Sequence, residues 1–393
     1  MDRIENSPSI FQSFWQAGYE CADHLNWLGD RVDLLHTTAH NMLVEKDYKA
    51  LELFQISTVR EGIRWNKVEK KPGFYDWTEV INRIEIAQKS GIQQIWDICH
   101  FGFPEDLSPM QPHFADRLAA ISRAFAELWS TIGTGPLIIT PINEISFLSW
   151  LGGEKKGTIP FLEKQGFQVK YELVKAAIAS INAIKKVDPN VRIMHTEPLV
   201  YIHPWDNSPP HVEIARQANE EQFQTLDMLS GRMCPELGGT HENLDIIGLN
   251  FYYNNQWEHQ RERIRWEAPR DPRWKPLSIL LQEVQNRYNR PIVISETSHL
   301  GVGRGEWILE VAEECKKAIE CGVDLQGICL YPIIDRPDWD FLDKYHNSGL
   351  WDLQISEDNL PERVICQQYA DELIKAQEII NTTTPAGIEF KYA

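Results

Sequence analysis

Short apolar runs rich in Ile, Val and Leu alternate along the chain with amphipathic segments of helical length. A short apolar run bounded by Gly, Pro or Asn reads as a buried strand. Apolar residues at helical spacing read as a helix laying one face on a sheet. The strands expected are near Phe11 to Glu20, Thr58 to Trp65, Ile92 to Cys99, Pro136 to Ile142, Val191 to Glu197, Leu244 to Phe251, Pro291 to Ser295 and Leu325 to Ile333. Between them, Asp116 to Ile132 sets Leu118, Ile121, Phe125, Leu128 and Trp129 at helical spacing, and Tyr171 to Lys186 follows the same pattern. Strand and helix in regular alternation are the mark of a parallel sheet.

Eight such units favour an α/β fold closed into a (β/α)8 TIM barrel. The competing open, doubly wound sheet needs a Gly-rich phosphate turn after its first strand, where this chain has Tyr19-Glu20-Cys21-Ala22-Asp23. Long polar and aromatic segments at His203 to Pro210, Asn254 to Pro276 and Arg336 to Ser348 each follow a strand. In a barrel such loops build the active face. No linker rich in Pro, Gly or Ser divides the chain, so residues 1–393 read as one barrel domain with elaborated loops.

Composition narrows the partners. With 39 Lys and Arg against 57 Asp and Glu, the formal net charge of -18 repels phosphate backbones and anionic lipid heads, so neither nucleic acid nor a membrane is expected as a partner. No apolar stretch is long enough to span a bilayer, and Met1 to Gln12 is polar and acidic where a secretory signal has a basic start and an apolar run, so a cytoplasmic location is expected. The seven cysteines form no CxxC pair and read as buried free thiols. His36 and His40 read as a surface or loop pair, since no third ligand accompanies them and no metal is expected.

Two carboxylates carry the candidate chemistry. The apolar fourth strand runs straight into Asn143-Glu144, and the seventh ends at Ser295-Glu296-Thr297. A carboxylate at the mouth of an apolar strand must be paired or do chemistry. Glycoside cleavage uses such a pair: one protonated carboxyl assists the leaving oxygen and an ionised one attacks the anomeric carbon. A separation of about 5 Å gives retention, and roughly 6.5 to 9.5 Å gives inversion. Two carboxyl groups suffice, so no cofactor is required. Fourteen tryptophans suit a carbohydrate substrate, because aromatic faces stack on the apolar faces of sugar rings. Trp205, Trp257, Trp266, Trp274 and Trp339 fall in the loops of the active face, and about half of these are expected to anchor loops instead.

These runs resemble the acid/base and nucleophile motifs of clan A glycoside hydrolases, and within that clan the chain is most similar to family 1, the β-glucosidase family, as a divergent member. The resemblance implies Glu144 as general acid/base and Glu296 as nucleophile. His100, in Ile98-Cys-His-Phe-Gly-Phe-Pro104, stands where the family has His-Trp-Asp-Leu-Pro and would bind a sugar hydroxyl. Arg60 resembles the second-strand arginine beside the nucleophile, with Arg64 competing for the role. Asp245-Ile-Ile-Gly-Leu-Asn250-Phe-Tyr252 looks like the sixth-strand run whose second tyrosine binds the nucleophile; that maps to Tyr252, with Tyr253 as fallback. Tyr331-Pro-Ile-Ile-Asp335-Arg-Pro-Asp338-Trp339 resembles Trp-Ser-Leu-Leu-Asp-Asn-Phe-Glu-Trp, implying Tyr331 as sugar platform, Asp338 as a grip on outer hydroxyls and Trp339 as a wall. Asn143 belongs to the acid/base motif, and Glu20 occupies roughly the place of the family's sugar-binding glutamine.

Three departures bear on specificity: Ile145 replaces a proline, Tyr331 a tryptophan and Asp338 a glutamate. They leave the identity of the sugar open. A phosphorylated sugar needs a cationic cradle, but Lys344 and Tyr345 are adjacent and Asp338, Asp340 and Asp343 surround them, so an uncharged glycoside is expected. Glu197, at the end of the fifth strand, is a third carboxylate with a supporting or substrate-contacting role. The leading expectation is a retaining, exo-acting β-glycosidase on a small glycoside. Its rivals are an endo-acting clan A glycanase, a transglycosidase and, from another class, a sugar-binding barrel without turnover.

Overall fold

Alternation along the eight apolar runs decides what fills the barrel. The computed structural model describes residues 9–355 and 360–382; the remaining positions of the expected 1–393 domain lie outside the described residues. Eight parallel strands close on themselves: β1 Trp15–Gly18, β2 Thr58–Gly62, β3 Gln93–Cys99, β4 Ile138–Ile142, β5 Arg192–Pro198, β6 Ile246–Asn250, β7 Ile292–Thr297 and β8 Leu325–Leu330. Each pairs with its neighbours in sequence, and β1 closes onto β8 with Trp15 opposite Ile328. The principal helices between them are α1 His40–Ala50, α2 Thr78–Lys89, α3 Phe114–Ile132, α4 Gly166–Lys185, α5 Pro209–Glu221, α6 Leu277–Tyr288, α7 Arg304–Glu320 and α8 Gln367–Asn381.

Successive side chains of a strand point to opposite faces. Inside the barrel, Ile95, Ile138, Met194, Ile246 and Val293 pack with Phe11 into an apolar plug. Two residues further along the same strands stand Asp97, Thr140, Thr196, Gly248 and Ser295, all buried, so the lumen turns polar toward the C-terminal ends. A side chain at Gly248 would meet Ser295 and Thr196 at 2.7 Å, so the polar layer closes only around a glycine. Trp96 faces outward instead and meets Phe125 of α3 at 5.4 Å between ring centroids.

Several strands are shorter than expected, β1 and β8 among them. β1 starts at Trp15 because Phe11 turns inward as part of the plug. β8 stops at Leu330, after which Tyr331 turns its ring onto Gly18. The loops also hold more structure than their polarity suggests. Tyr201–His203 pairs in parallel with Gln256–Glu258, so the loops after β5 and β6 are tied together, and Trp351–Ile355 pairs antiparallel with Pro361–Ile365. Trp266 and Trp274 are buried against Trp307 and anchor the β6 loop. Of the cysteines, Cys21, Cys99, Cys315 and Cys329 are buried, whereas Cys321 is exposed.

His40 corrects the expectation of a surface pair. It is fully buried, with Nδ1 2.8 Å from Asp47 and Nε2 2.9 Å from Glu61. Arg83 donates to Glu61 at 2.6 Å, Arg363 holds Asp47 at 2.7 and 2.9 Å, and Tyr19 stacks on the His40 ring. A buried charge is tolerated only when paired, and here the pairing draws on β2, α1, α2 and the hairpin after β8. Burial would raise the Glu61 pKa, but His40 and Arg83 overcome it and hold the group at about 2. Burial would lower His40, and Glu61 and Asp47 overcome that to raise it.

The two shifts set opposite limits. The Glu61 contribution is present above its ordinary 4.5 and is lost as pH falls toward about 2. The His40 contribution is complete below its ordinary 6.5 and is lost as pH rises through the raised value. Replacing Glu61 by Ala leaves His40 with Asp47 alone and takes the nearest anion from the buried Arg83, and should cost about 3–5 kcal/mol of stability near pH 6, read from urea unfolding. An unchanged midpoint would contradict this account of the network.

Candidate active site

The loops leaving the barrel mouth inherit their positions from the strands beneath. Glu144 follows β4 directly and caps the short helix Ile145–Gly153, its backbone left-handed at φ 46°. Its N–H donates to the Thr196 carbonyl at 3.0 Å, and its Oε1 accepts from Asn250 Nδ2 at 2.8 Å. Asn250 ends β6 and accepts at 2.6 Å from the hydroxyl of Ser295, the residue before Glu296. One asparagine therefore bridges the two candidate motifs. The Glu296 backbone lies opposite Asn250 in the β7 and β6 register.

Glu296 is 5 % exposed, and both its oxygens accept hydrogen bonds, as suits a carboxylate. Arg60 Nη1 donates to Oε1 at 2.6 Å and the Tyr252 hydroxyl to Oε2 at 2.7 Å. Arg60 in turn forks onto Asp97 at 3.1 and 2.7 Å and reaches Asn143 Oδ1 at 2.7 Å. A planar guanidinium held by a second carboxylate is a fixed donor, which Lys could not supply. The alternatives fall elsewhere: Arg64 pairs with Asp33 and Glu79, and Tyr253 lies against His299.

The two carboxyls differ in their surroundings. Glu144 faces one neutral amide donor and no cation in hydrogen-bond contact. Burial first, then the charge of Glu296, raises its pKa from 4.5 to about 8. At neutral pH Glu144 therefore keeps its proton while Glu296 faces a guanidinium. A carboxyl that keeps its proton at neutral pH beside another carboxyl is suited to serve as an acid.

The remaining expected residues surround the pair unevenly. His100 Nδ1 contacts Asp97 at 2.8 Å, and Nε2 lies 3.2 Å from the Tyr331 hydroxyl and 3.3 Å from Asn143 Nδ2. Tyr331 is buried, its ring parallel to His100 and its hydroxyl donating to Glu20 at 3.4 Å. Glu20 also approaches Arg336 at 3.4 Å. Asp338 is occupied within its own loop: Oδ1 takes the backbone N–H groups of Asp340 and Phe341, and Oδ2 takes His346 at 2.8 Å. Trp339 stands edge-on to His24 and Phe101 at one side of the site.

Three contributors were missed. Asp97 and Asn250 each hold a central group, and Thr196 fixes Asn143 through its hydroxyl at 2.7 Å. Asp97 carried a signal, being a charge inside the apolar run Ile95 to Cys99, where it must be paired. Cys21, Asp97 and His100 place ligand-type atoms within 4.8 Å of one another. Both Asp97 oxygens already face Arg60, and burial raises the Cys21 thiol, so the cluster is poor in the free anionic donors that a cation requires. Two surface clefts, of about 620 and 580 Å³, lie around Arg64 and between α5 and α6; neither contains Glu144 or Glu296.

No protein-family model and no curated protein matches the chain. Solved structures do. A β-glycosidase from Pyrococcus horikoshii superposes with a TM-score of 0.76 at 17% identity, over 97% of this chain and 98% of that one. A family 1 β-glucosidase from Thermotoga maritima matches with a TM-score of 0.72 at 14% identity, over 95% and 99%. The β-glucosidase from Thermotoga maritima in complex with glucoimidazole matches with a TM-score of 0.72 at 16% identity, over 92% and 98%. The chain has the fold of these β-glycosidases. At such identities the likeness is one of architecture, and the chemistry must be argued from the residues. Among the described residues, no helix is long and apolar enough to cross a membrane.

Removing the Tyr252 hydroxyl tests the site with a small change. A hydrogen bond to a charged group is worth about 1.5–3 kcal/mol. Tyr252→Phe should therefore lower kcat/KM by roughly 10- to 100-fold at unchanged stability. Wild-type kinetics in this variant would remove Tyr252 from the site.

Proposed function

We propose that this chain is a retaining β-glycosidase of the family 1 type, one catalytic domain acting exo on an uncharged glycoside. One observation carries the reading: Glu144, raised to about 8, adjoins Glu296, which is gripped by Arg60 and Tyr252. A solvated or ion-paired loop glutamate would not acquire that asymmetry. The likeness of fold to β-glycosidases, one of them solved in complex with glucoimidazole, supports the substrate class.

Glu296 attacks the anomeric carbon, and the bond to the leaving oxygen breaks with its electron pair going to that oxygen. Glu144 delivers its proton there. Esterified Glu296 no longer carries a charge, so one cause of the raised Glu144 pKa vanishes and Glu144 becomes a competent base. It then takes a proton from water as the water oxygen displaces Glu296, and both glutamates return to their starting states. Two inversions give net retention.

Aryl β-glycosides of several sugars, followed by NMR from the first turnover, test this directly. A β-anomer appearing first is expected. An α-anomer first would replace the mechanism by inversion, and tight binding without hydrolysis across the panel would favour the binding-barrel alternative.

A further inference from the structure

Glu197 is the penultimate residue of β5, is 2 % exposed and has no part in the mechanism above. Both its oxygens face the backbone N–H of Ser146, at 3.1 and 3.3 Å, and the Ser146 side chain and the Ile145 backbone also act on it. Ser146 is in the first turn of the helix that Glu144 caps, where the unpaired N–H groups and the helix dipole favour an anion. The residue before Glu197, Thr196, holds Asn143 with its hydroxyl and Glu144 with its carbonyl. Two successive residues of β5 thus grip the run from Asn143 to Ser146. That run needs a grip, because Glu144 sits at φ 46°, a region that residues other than glycine seldom adopt.

Position also gives Glu197 an electrostatic reach. The groups acting on Glu144 are Glu296 and Glu197, which strengthen its hold on the proton, and Asn250 and His100, which weaken it. Burial raises Glu197 from 4.5 to about 7, against Ser146 and the Lys170 ammonium of α4, whose Nζ donates to Gln224 at 2.9 Å, so Glu197 carries its charge in the range near 8 where Glu144 titrates. We propose that Glu197 is the positioning residue of the proton donor: through Ser146 it fixes the left-handed backbone of Glu144, and its negative charge keeps the proton on that carboxyl. The inference rests on the two-glutamate reading and extends it to a third acidic residue on a neighbouring strand.

Two variants separate the two effects. Glu197→Gln keeps an oxygen for the Ser146 N–H and removes only the charge. The basic limb of kcat/KM should move to lower pH by roughly half a unit or more. In the free protein, the Glu144 carboxyl titration followed by 13C NMR should move the same way. Glu197→Ala also loses the grip, and turnover of glycosides with poor leaving groups should fall roughly tenfold or more. Dinitrophenyl glycosides, which need no proton for cleavage, should be spared in both variants. An unmoved limb and titration in Glu197→Gln, or equal losses for good and poor leaving groups in Glu197→Ala, would overturn the proposal. Failure of the underlying reading looks different: wild-type turnover would then be indifferent to Glu144 itself, whatever stands at position 197.

Discussion

Replacing Glu296 by Ala should lower turnover by roughly 10⁴-fold or more, because no other group can form the glycosyl-enzyme bond. The fold should survive. Arg60 keeps both contacts to Asp97 and one to Asn143, so its buried charge stays paired when Glu296 is gone. The space vacated lies between two donors, Arg60 and Tyr252, that are aimed at an anion. Formate or azide should enter it and restore part of the rate. With azide, the product should be a glycosyl azide of inverted configuration, because the anion attacks from the face that Glu296 occupied. Circular dichroism and product NMR on the purified variant supply the readout. Undiminished hydrolysis by Glu296→Ala would end the assignment, and inactivity without rescue in a well-folded variant would argue against an open anion site at this position.

What the sequence disclosed and what it hid follow from the range of each interaction. The barrel was legible because strand and helix periodicities are local, and the eight strands lie where the apolar runs stand. Glu144 and Glu296 were legible for a related reason: each is the first acidic group after an apolar strand, and the strand alone fixes its place at the mouth. Arg60 over Arg64 could not be decided from the chain, since both fall on one face of the strand expected from Thr58 to Trp65, whereas β2 ends at Gly62. The choice depends on Asp97 from β3 and on Asp33 and Glu79, which pull Arg64 away. His40 illustrates the same limit. Its burial rests on Glu61, Asp47 and the distant Arg363, and no local pattern around His36 and His40 announces those partners. Asp338 shows the limit of motif register. Its spacing fits a sugar contact, and register alone does not reveal that His346 and two backbone amides of its own loop also bond to it.

Glu144→Gln should separate the proton donor from the rest of the machinery. The amide keeps the size of the side chain and an oxygen for Asn250, but it has no proton to give. Glycosides with poor leaving groups should slow by roughly 10²- to 10⁴-fold, while dinitrophenyl glycosides should still form the intermediate. The basic limb of the pH profile, expected near the Glu144 value of about 8, should disappear. Stability should move in the opposite direction to activity. Because the folded value stands above the ordinary 4.5, the native wild type holds more protons than the unfolded chain between about 4.5 and 8, and it loses stability as pH rises through that window. Gln does not titrate, so the variant should gain on wild type as pH rises from 5 to 8, by a few kcal/mol in urea unfolding. A variant less stable than wild type at pH 8, or one that slows both classes of leaving group equally, would show that burial and the charge of Glu296 do not hold Glu144 in its protonated form.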